Sequence, residues 1–216
     1  MTIRHHPSAE LILDYAAGGL AHGPALAVAS HLVLCPHCRR TTQRLEALGG
    51  RLMADAVGSQ NDSGRAFDAI LSKIAGGADE SVPALQPATA VFPHPLRMAL
   101  GGDIGTVPWK RLGMGAYHYI IPSDDGPATA RLLLIPAGRP VPVHTHVGTE
   151  LTLTLRGAYT DATGHFACGD LQEADDSLTH QPHATPDEDC ICLAVTEAPL
   201  RFKSWPARIL QPLLGI

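Results

Sequence analysis

The chain has 216 residues, 45% of them hydrophobic, with a formal net charge of −5 at neutral pH. That length suits one large or two small domains, and the acidic balance argues against general nucleic-acid binding. No apolar run approaches the length of a membrane span, the N-terminus M-T-I-R-H-H-P lacks the apolar core of an export signal, and five cysteines in no paired framework point to a reduced, cytosolic compartment.

The first 75 residues read as helical. Ser8 is a candidate N-cap for A-E-L-I-L-D-Y-A-A, which Gly18-Gly19 would end. Pro24 suits the first turn of a second helix carrying Leu26, Val28, Ala29, Leu32 and Val33. Pro36 suits the first turn of a third, in which Leu45, Leu48, Leu52 and Met53 keep helical spacing. In a fourth, R-A-F-D-A-I-L-S-K-I-A, residues Phe67, Ile70, Leu71 and Ile74 make a narrow apolar stripe. That stripe suits either its own domain or a partner protein. Residues 76–92 turn to Gly, Pro and small side chains and read as a linker. From residue 93 onward, R-L-L-L-I-P, P-V-H-T-H, L-T-L-T-L, G-H-F-A-C-G-D and C-I-C-L-A-V read as strands of a sheet or barrel. Charge divides the same way. Residues 1–75 carry seven Lys/Arg against six Asp/Glu, and the remainder nine against fifteen.

Each part contains a metal-ligand pattern. In the helical part, His31, Cys35 and Cys38 spell H-x3-C-x2-C. His31 and Cys35 lie one helical turn apart, and the C-x2-C spacing lets two thiolates share one tetrahedral ion. His5 and His6 are both candidates for the fourth position, with His37 ranked below them. Soft Cys2His2 donors point to structural zinc, which would add a large folding term to so small a core. In the second part, Gly138 to Gly157 spells G-x5-H-x-H-x3-E-x6-G. Strand alternation puts His144 and His146 on one face, V-G-T reads as a turn, and Glu150 opens a second strand, so the three donors would converge from one hairpin. Imidazole plus carboxylate suits zinc, iron, nickel or manganese.

This second pattern resembles the first signature of the cupin β-barrels. Its second signature would start at Gly169-Asp170, with a histidine about a dozen residues on. His180 lies eleven beyond Gly169 and His183 fourteen; His180 is preferred. The asparagine usual after that histidine is not evident. H-x3-C-x2-C with a histidine about 25 residues upstream resembles the zinc-binding anti-sigma family. The two patterns in this order resemble one branch of it, the ChrR anti-sigma factors. That resemblance implies a multidomain α + β chain: a small zinc-binding helical bundle at 1–75, a linker at 76–92, and a cupin (double-stranded β-helix, jelly-roll) barrel at 93–216. It implies structural zinc on His6, His31, Cys35 and Cys38. It implies zinc or another divalent metal on His144, His146, Glu150 and the later histidine. It further implies an extracytoplasmic-function sigma factor as partner, inhibited by the helical domain and released on a singlet-oxygen or oxidant signal, without catalysis, direct nucleic-acid contact or membrane attachment.

The competing function is a metal-dependent cupin enzyme (dioxygenase, isomerase or decarboxylase) with an accessory helical module. Little besides the metal set looks like acid–base machinery, although His118 and Glu173 are available. A zinc-module DNA binder is disfavoured by the near-neutral helical part, despite Arg39, Arg40 and Arg44. Cys190 and Cys192 lie two apart and would face one side of a strand, either as a redox-responsive thiol pair or as small buried residues. Cys168 reads as structural. Asp124-Asp125 and Asp175-Asp176 read as solvated loop charges, and Trp109, Trp205 and Tyr159 as core or interface residues.

Overall fold

The structure, a computed structural model, describes residues 2–56, 63–75, 90–123 and 128–202. Residues 76–89 of the expected linker, the Asp124-Asp125 pair, Trp205 and the C-terminal tail lie outside the described residues.

Among the described residues four helices come first: α1 (Ala9–Ala16), α2 (His22–Leu34), α3 (Pro36–Ala56) and α4 (Ser63–Ala75). Ser8 caps α1, its Oγ accepting from the Leu11 amide at 3.2 Å. Leu26 and Val28 of α2 are buried as the periodicity requires. The stripe on α3 behaves otherwise. Leu48 is 53% and Met53 69% exposed, and the buried residues of α3 are Cys38 and Thr42 near its start. Phe67, Ile70 and Leu71 of α4 are also exposed.

A fifth helix, α5 (His94–Leu100), stands where the sequence reads as the start of the strand region. Pro95 in its first turn and Gly101 in the left-handed conformation (φ 70°) after its end start and stop it.

Twelve strands follow among the described residues. They are β1 (Lys110–Gly113), β2 (Ala116–Ile121), β3 (Thr129–Ile135), β4 (His144–Thr145), β5 (Glu150–Arg156), β6 (Ala158–Asp161), β7 (Gly164–Ala167), β8 (Leu171–Ala174), β9 (Thr179–His180), β10 (His183–Ala184), β11 (Cys190–Thr196) and β12 (Arg201–Phe202). A six-stranded sheet runs β1-β2-β3-β11-β5-β8, and two three-stranded sheets run β10-β6-β7 and β12-β4-β9. This is a cupin-like β-sandwich behind N-terminal helices.

Strands β5 and β11 of the six-stranded sheet are buried on both faces. In β5, Leu151, Leu153 and Leu155 join Ile191, Leu193 and Val195 of β11 in a core shared with Leu26 and Ala27 of α2 and with Phe92 and Leu96. Each of these large apolar side chains contributes about 2 kcal/mol by leaving water. The alternate positions, Thr152, Thr154, Cys190 and Cys192, point to the other side and are buried as well. The larger apolar core therefore lies outside the sandwich, between sheet and helices. Gly23 marks how closely α2 sits: a Cβ there would be 3.0 Å from Val195 Cγ1. The signature glycines Gly138 (φ 68°) and Gly157 (φ 64°) hold left-handed turns, and a Cβ at Gly157 would meet the Asp189 carbonyl oxygen at 2.6 Å.

Candidate metal centres

The helical centre is assembled from three pieces of chain. His31 is on the last turn of α2, Cys35 caps that helix, and Cys38 is in the first turn of α3. His6 comes from the extended segment ahead of α1. One donor atom from each of these four residues lies within 4.8 Å of all the others. His6 Nδ1 is 3.4 Å from both sulfurs. His31 is fully buried, and its Nε2 has no hydrogen-bond partner, while its Nδ1 donates to the Gly169 carbonyl at 2.9 Å. A buried imidazole nitrogen left with a free lone pair beside two thiols is what a bound cation would satisfy.

Burial depresses the His31 pKa to about 4, so the ring stays neutral and ligand-competent at pH 7. Burial and the neighbouring Cys35 push the Cys38 thiol up to about 12, so a metal would have to draw off its proton. His5 is elsewhere: its ring packs on Phe166 with centroids 4.3 Å apart, and its Nε2 contacts the His165 carbonyl at 3.1 Å. His37 is exposed.

The second centre lies inside the sandwich, and its assembly corrects one expectation. His144 and Glu150 do not belong to one hairpin. β4 pairs with β9 and β12, whereas β5 belongs to the six-stranded sheet. The V-G-T segment is a corner between layers, with Gly148 at φ 75° and the Thr149 amide donating to Glu197 at 2.9 Å.

Register selects the third histidine. His180 sits directly across from His144 in the β4–β9 pair. His183 pairs across from Thr160 in a different sheet and is exposed. His180 Nε2 is 3.0 Å from His144 Nε2 and 3.1 Å from His146 Nε2. The opposite ring nitrogens are each held: His144 Nδ1 donates to the Pro142 carbonyl at 2.8 Å, His180 Nδ1 to Asp161 Oδ2 at 2.6 Å, and His146 Nδ1 lies 2.7 Å from Glu150 Oε2. Three buried imidazoles with their Nε2 lone pairs turned on one another repel unless a cation sits among them, so the donor set fits a divalent metal.

Glu150 is therefore beside the trio rather than within it. Its Oε1 accepts from Thr152 Oγ1 at 2.8 Å. Burial alone would raise its pKa, but contact with His146 and the proximity of His144 hold the carboxyl below its ordinary value.

The sequence offered no signal for Asp161. Its carboxylate accepts from the Thr163 amide at 2.7 Å and from Gln172 Nε2 at 2.9 Å, and Gln172 in turn accepts from the Tyr159 hydroxyl at 2.8 Å. Burial opposes ionisation, but the hydrogen bonds from Gln172, Thr163 and His180 lower the Asp161 pKa to about 2. Tyr159, read as a packing residue, thus belongs to the support of the metal centre. An open cleft of about 460 Å³ is lined in part by Asp161, His180 and His183 and so touches this centre at His180.

Cys190 and Cys192 face the sandwich interior with sulfurs 3.5 Å apart, both buried. The hydrogen bond with Cys190 and burial push the Cys192 thiol well above its ordinary value, the condition of an unreactive cysteine. Cys168 donates to the Leu155 carbonyl at 2.9 Å.

Known proteins share both the sequence and the architecture. The ChrR Cupin-like domain family matches residues 98–199. The anti-sigma-E factor ChrR of Cereibacter sphaeroides is 42% identical over 219 residues, spanning all of both chains. The crystal structure of Rhodobacter sphaeroides SigE in complex with the anti-sigma ChrR matches with a TM-score of 0.76 at 41% identity, over 90% of this chain and 99% of that one. Such identity along the whole of both sequences, on the same helical-plus-cupin plan, places this chain in the ChrR family of anti-sigma factors.

Proposed function

We propose that this chain binds an extracytoplasmic-function sigma factor and holds it inactive, and that the cupin-like part governs its release. The full-length likeness to ChrR, whose crystal structure is of a complex with SigE, carries the reading. The exposed faces of α3 and α4 support it. Leu48, Leu52 and Met53 on α3 and Phe67, Ile70 and Leu71 on α4 are all exposed in the free chain, as a helix-recognition surface would be. The inhibitory unit is assigned to residues 1–75 and the sensing unit to 93–216.

The helical centre is assigned zinc on His6, His31, Cys35 and Cys38, a closed soft-donor set suited to structure. The barrel centre is assigned zinc or another divalent metal on His144, His146 and His180, with Glu150, which rests against His146 Nδ1, turning in as the carboxylate donor. Its signal is assigned to singlet oxygen or a related oxidant, and its role to regulation rather than catalysis. No helix among the described residues is long and apolar enough to cross a membrane, and the site of action is assigned to the cytoplasm with the sigma factor.

Co-expression with the sigma factor encoded beside it, followed by co-purification, tests the reading. The pair is expected to copurify, and Phe67→Asp with Leu71→Asp to abolish capture while leaving the metal content unchanged. A chain that never captures the sigma factor would overturn it.

A further inference from the structure

We propose that the cupin-like part supplies the outer coordination of the helical metal centre through its Gly169-Asp170 turn, so that the barrel sets how tightly the helical centre holds its metal. The inference rests on the assignment of His6, His31, Cys35 and Cys38 as a metal set.

Two of those four donors are positioned from across the domain seam. His31 is fully buried, and the acceptor for its Nδ1 is the Gly169 carbonyl, 138 residues away. That bond fixes which ring nitrogen carries the proton and turns Nε2 toward His6 and the two cysteines. Gly169 has φ 91°, a conformation that favours glycine, and this aims its carbonyl.

His6 sits on a segment with no helix or strand of its own. The segment is held by the barrel. The amides of Arg4 and His5 donate to Asp170 Oδ1 at 2.6 and 2.9 Å, the Leu171 amide donates to the His5 carbonyl at 3.2 Å, and the Ser8 amide donates to Glu173. It thus lies along β8, the last strand of the six-stranded sheet, and covers part of that edge.

The turn is itself anchored. The Asp170 carbonyl accepts from the Thr154 amide at 3.0 Å, the Gly169 amide donates to the Thr154 carbonyl at 2.8 Å, and Asp170 Oδ2 accepts from the Ala167 amide at 2.9 Å. Asp170 is 1% exposed. A buried carboxylate without these donors would be costly, so the barrel needs the N-terminal segment as much as the segment needs the barrel. Two residues beyond Asp170, Gln172 donates to Asp161, the partner of His180. One strand therefore touches the supports of both centres.

The test uses the full-length protein loaded with cobalt(II) in place of zinc. Thiolate-to-cobalt charge-transfer absorption reports the helical centre alone, because the barrel set contains no sulfur donor. Its decay under excess EDTA gives the release rate. Asp170→Ala is expected to release cobalt about tenfold faster or more, as loss of an outer-shell partner does. Asp170→Asn, which keeps the acceptor facing Arg4 and His5, is expected to recover most of the hold. Asp175→Ala, at an exposed loop carboxylate, is expected to match wild type. Decay of Asp170→Ala at the wild-type rate, with the band fully formed, would overturn the proposal. Failure of the wild-type band to form would remove the helical centre itself and the proposal with it. If Asp170→Ala does not fold, hydrogen exchange of the wild-type protein decides. The Arg4 and His5 amides are expected to exchange at least ~10-fold slower than a free chain, and free-chain exchange there rejects the clamp.

Discussion

The two candidate metal centres of this chain are built on opposite plans. The helical one draws three donors from eight consecutive residues, His31 to Cys38, and closes with a fourth from an extended segment. Its donors are soft and complete, so a metal bound there would be part of the fold. The barrel centre draws His144 and His146 from β4 and the segment just after it and His180 from the neighbouring strand β9, and each ring is steered by an acceptor behind it. Its clustered donors are three imidazoles with Glu150 beside them, and an open cleft touches it at His180. A closed thiolate set holds a small domain together, whereas an imidazole–carboxylate set in a scaffold with its own core is free to be a point of response.

The largest effect should come from breaking the closed set. Cys38→Ser removes a buried thiolate, and with it a metal contribution on the order of 10 kcal/mol to folding of that region. Metal content should fall by one equivalent, and sigma-factor capture should be lost. Retention of the metal and of capture would contradict the structural role.

His180→Ala should separate the centres. The barrel metal is expected to be lost, together with about 1–3 kcal/mol of stability from the Asp161 carboxylate left short of a donor. The cobalt–thiolate band of the helical centre should still form, and the sigma factor should stay bound but unresponsive to oxidant. Constitutive release would show that the barrel props up the inhibitor rather than sensing for it.

Asp161→Asn tests the support behind the barrel ligand. Chelator competition is expected to show an affinity for the barrel metal about tenfold weaker, with circular dichroism unchanged. An affinity equal to wild type would reduce Asp161 to a turn residue.

The smallest effect is expected from Cys190→Ser with Cys192→Ser. Both sulfurs are buried, and Cys192 is held in its protonated form, so induction of a sigma-dependent reporter by singlet oxygen or hydroperoxide should match wild type. A blunted response would put the thiols into the mechanism and make the barrel centre a redox site in its own right.

What was legible in the chain follows from how local each feature is. H-x3-C-x2-C, the Ser8 cap and the G-x5-H-x-H-x3-E-x6-G signature are short-range patterns. Helical turn, cap chemistry, strand alternation and left-handed glycines give them direct structural meaning. The α-before-β order is equally local, although α5 (His94–Leu100) carries the helical part past residue 93 and the first strand begins only at Lys110. Other features depended on packing. Leu48, Leu52 and Met53 keep helical spacing yet face solvent, because periodicity marks an apolar face without saying what covers it. The Leu positions of L-T-L-T-L face helices and the Thr positions face the barrel interior, a choice alternation alone leaves open. His180 is preferred to His183 by cross-strand register with His144, and His6 to His5 by where the N-terminal segment is gripped. Asp161, Gln172 and the Gly169-Asp170 turn belong to no motif, because a supporting hydrogen bond requires only an acceptor at the right place in space. The sequence by itself determined the donor types, the two-part plan and the family. Only the tertiary structure decided that the second part reaches across to hold the ligands of the first, since Gly169 and His31 are far apart in the chain and meet only when α2 packs on the sheet.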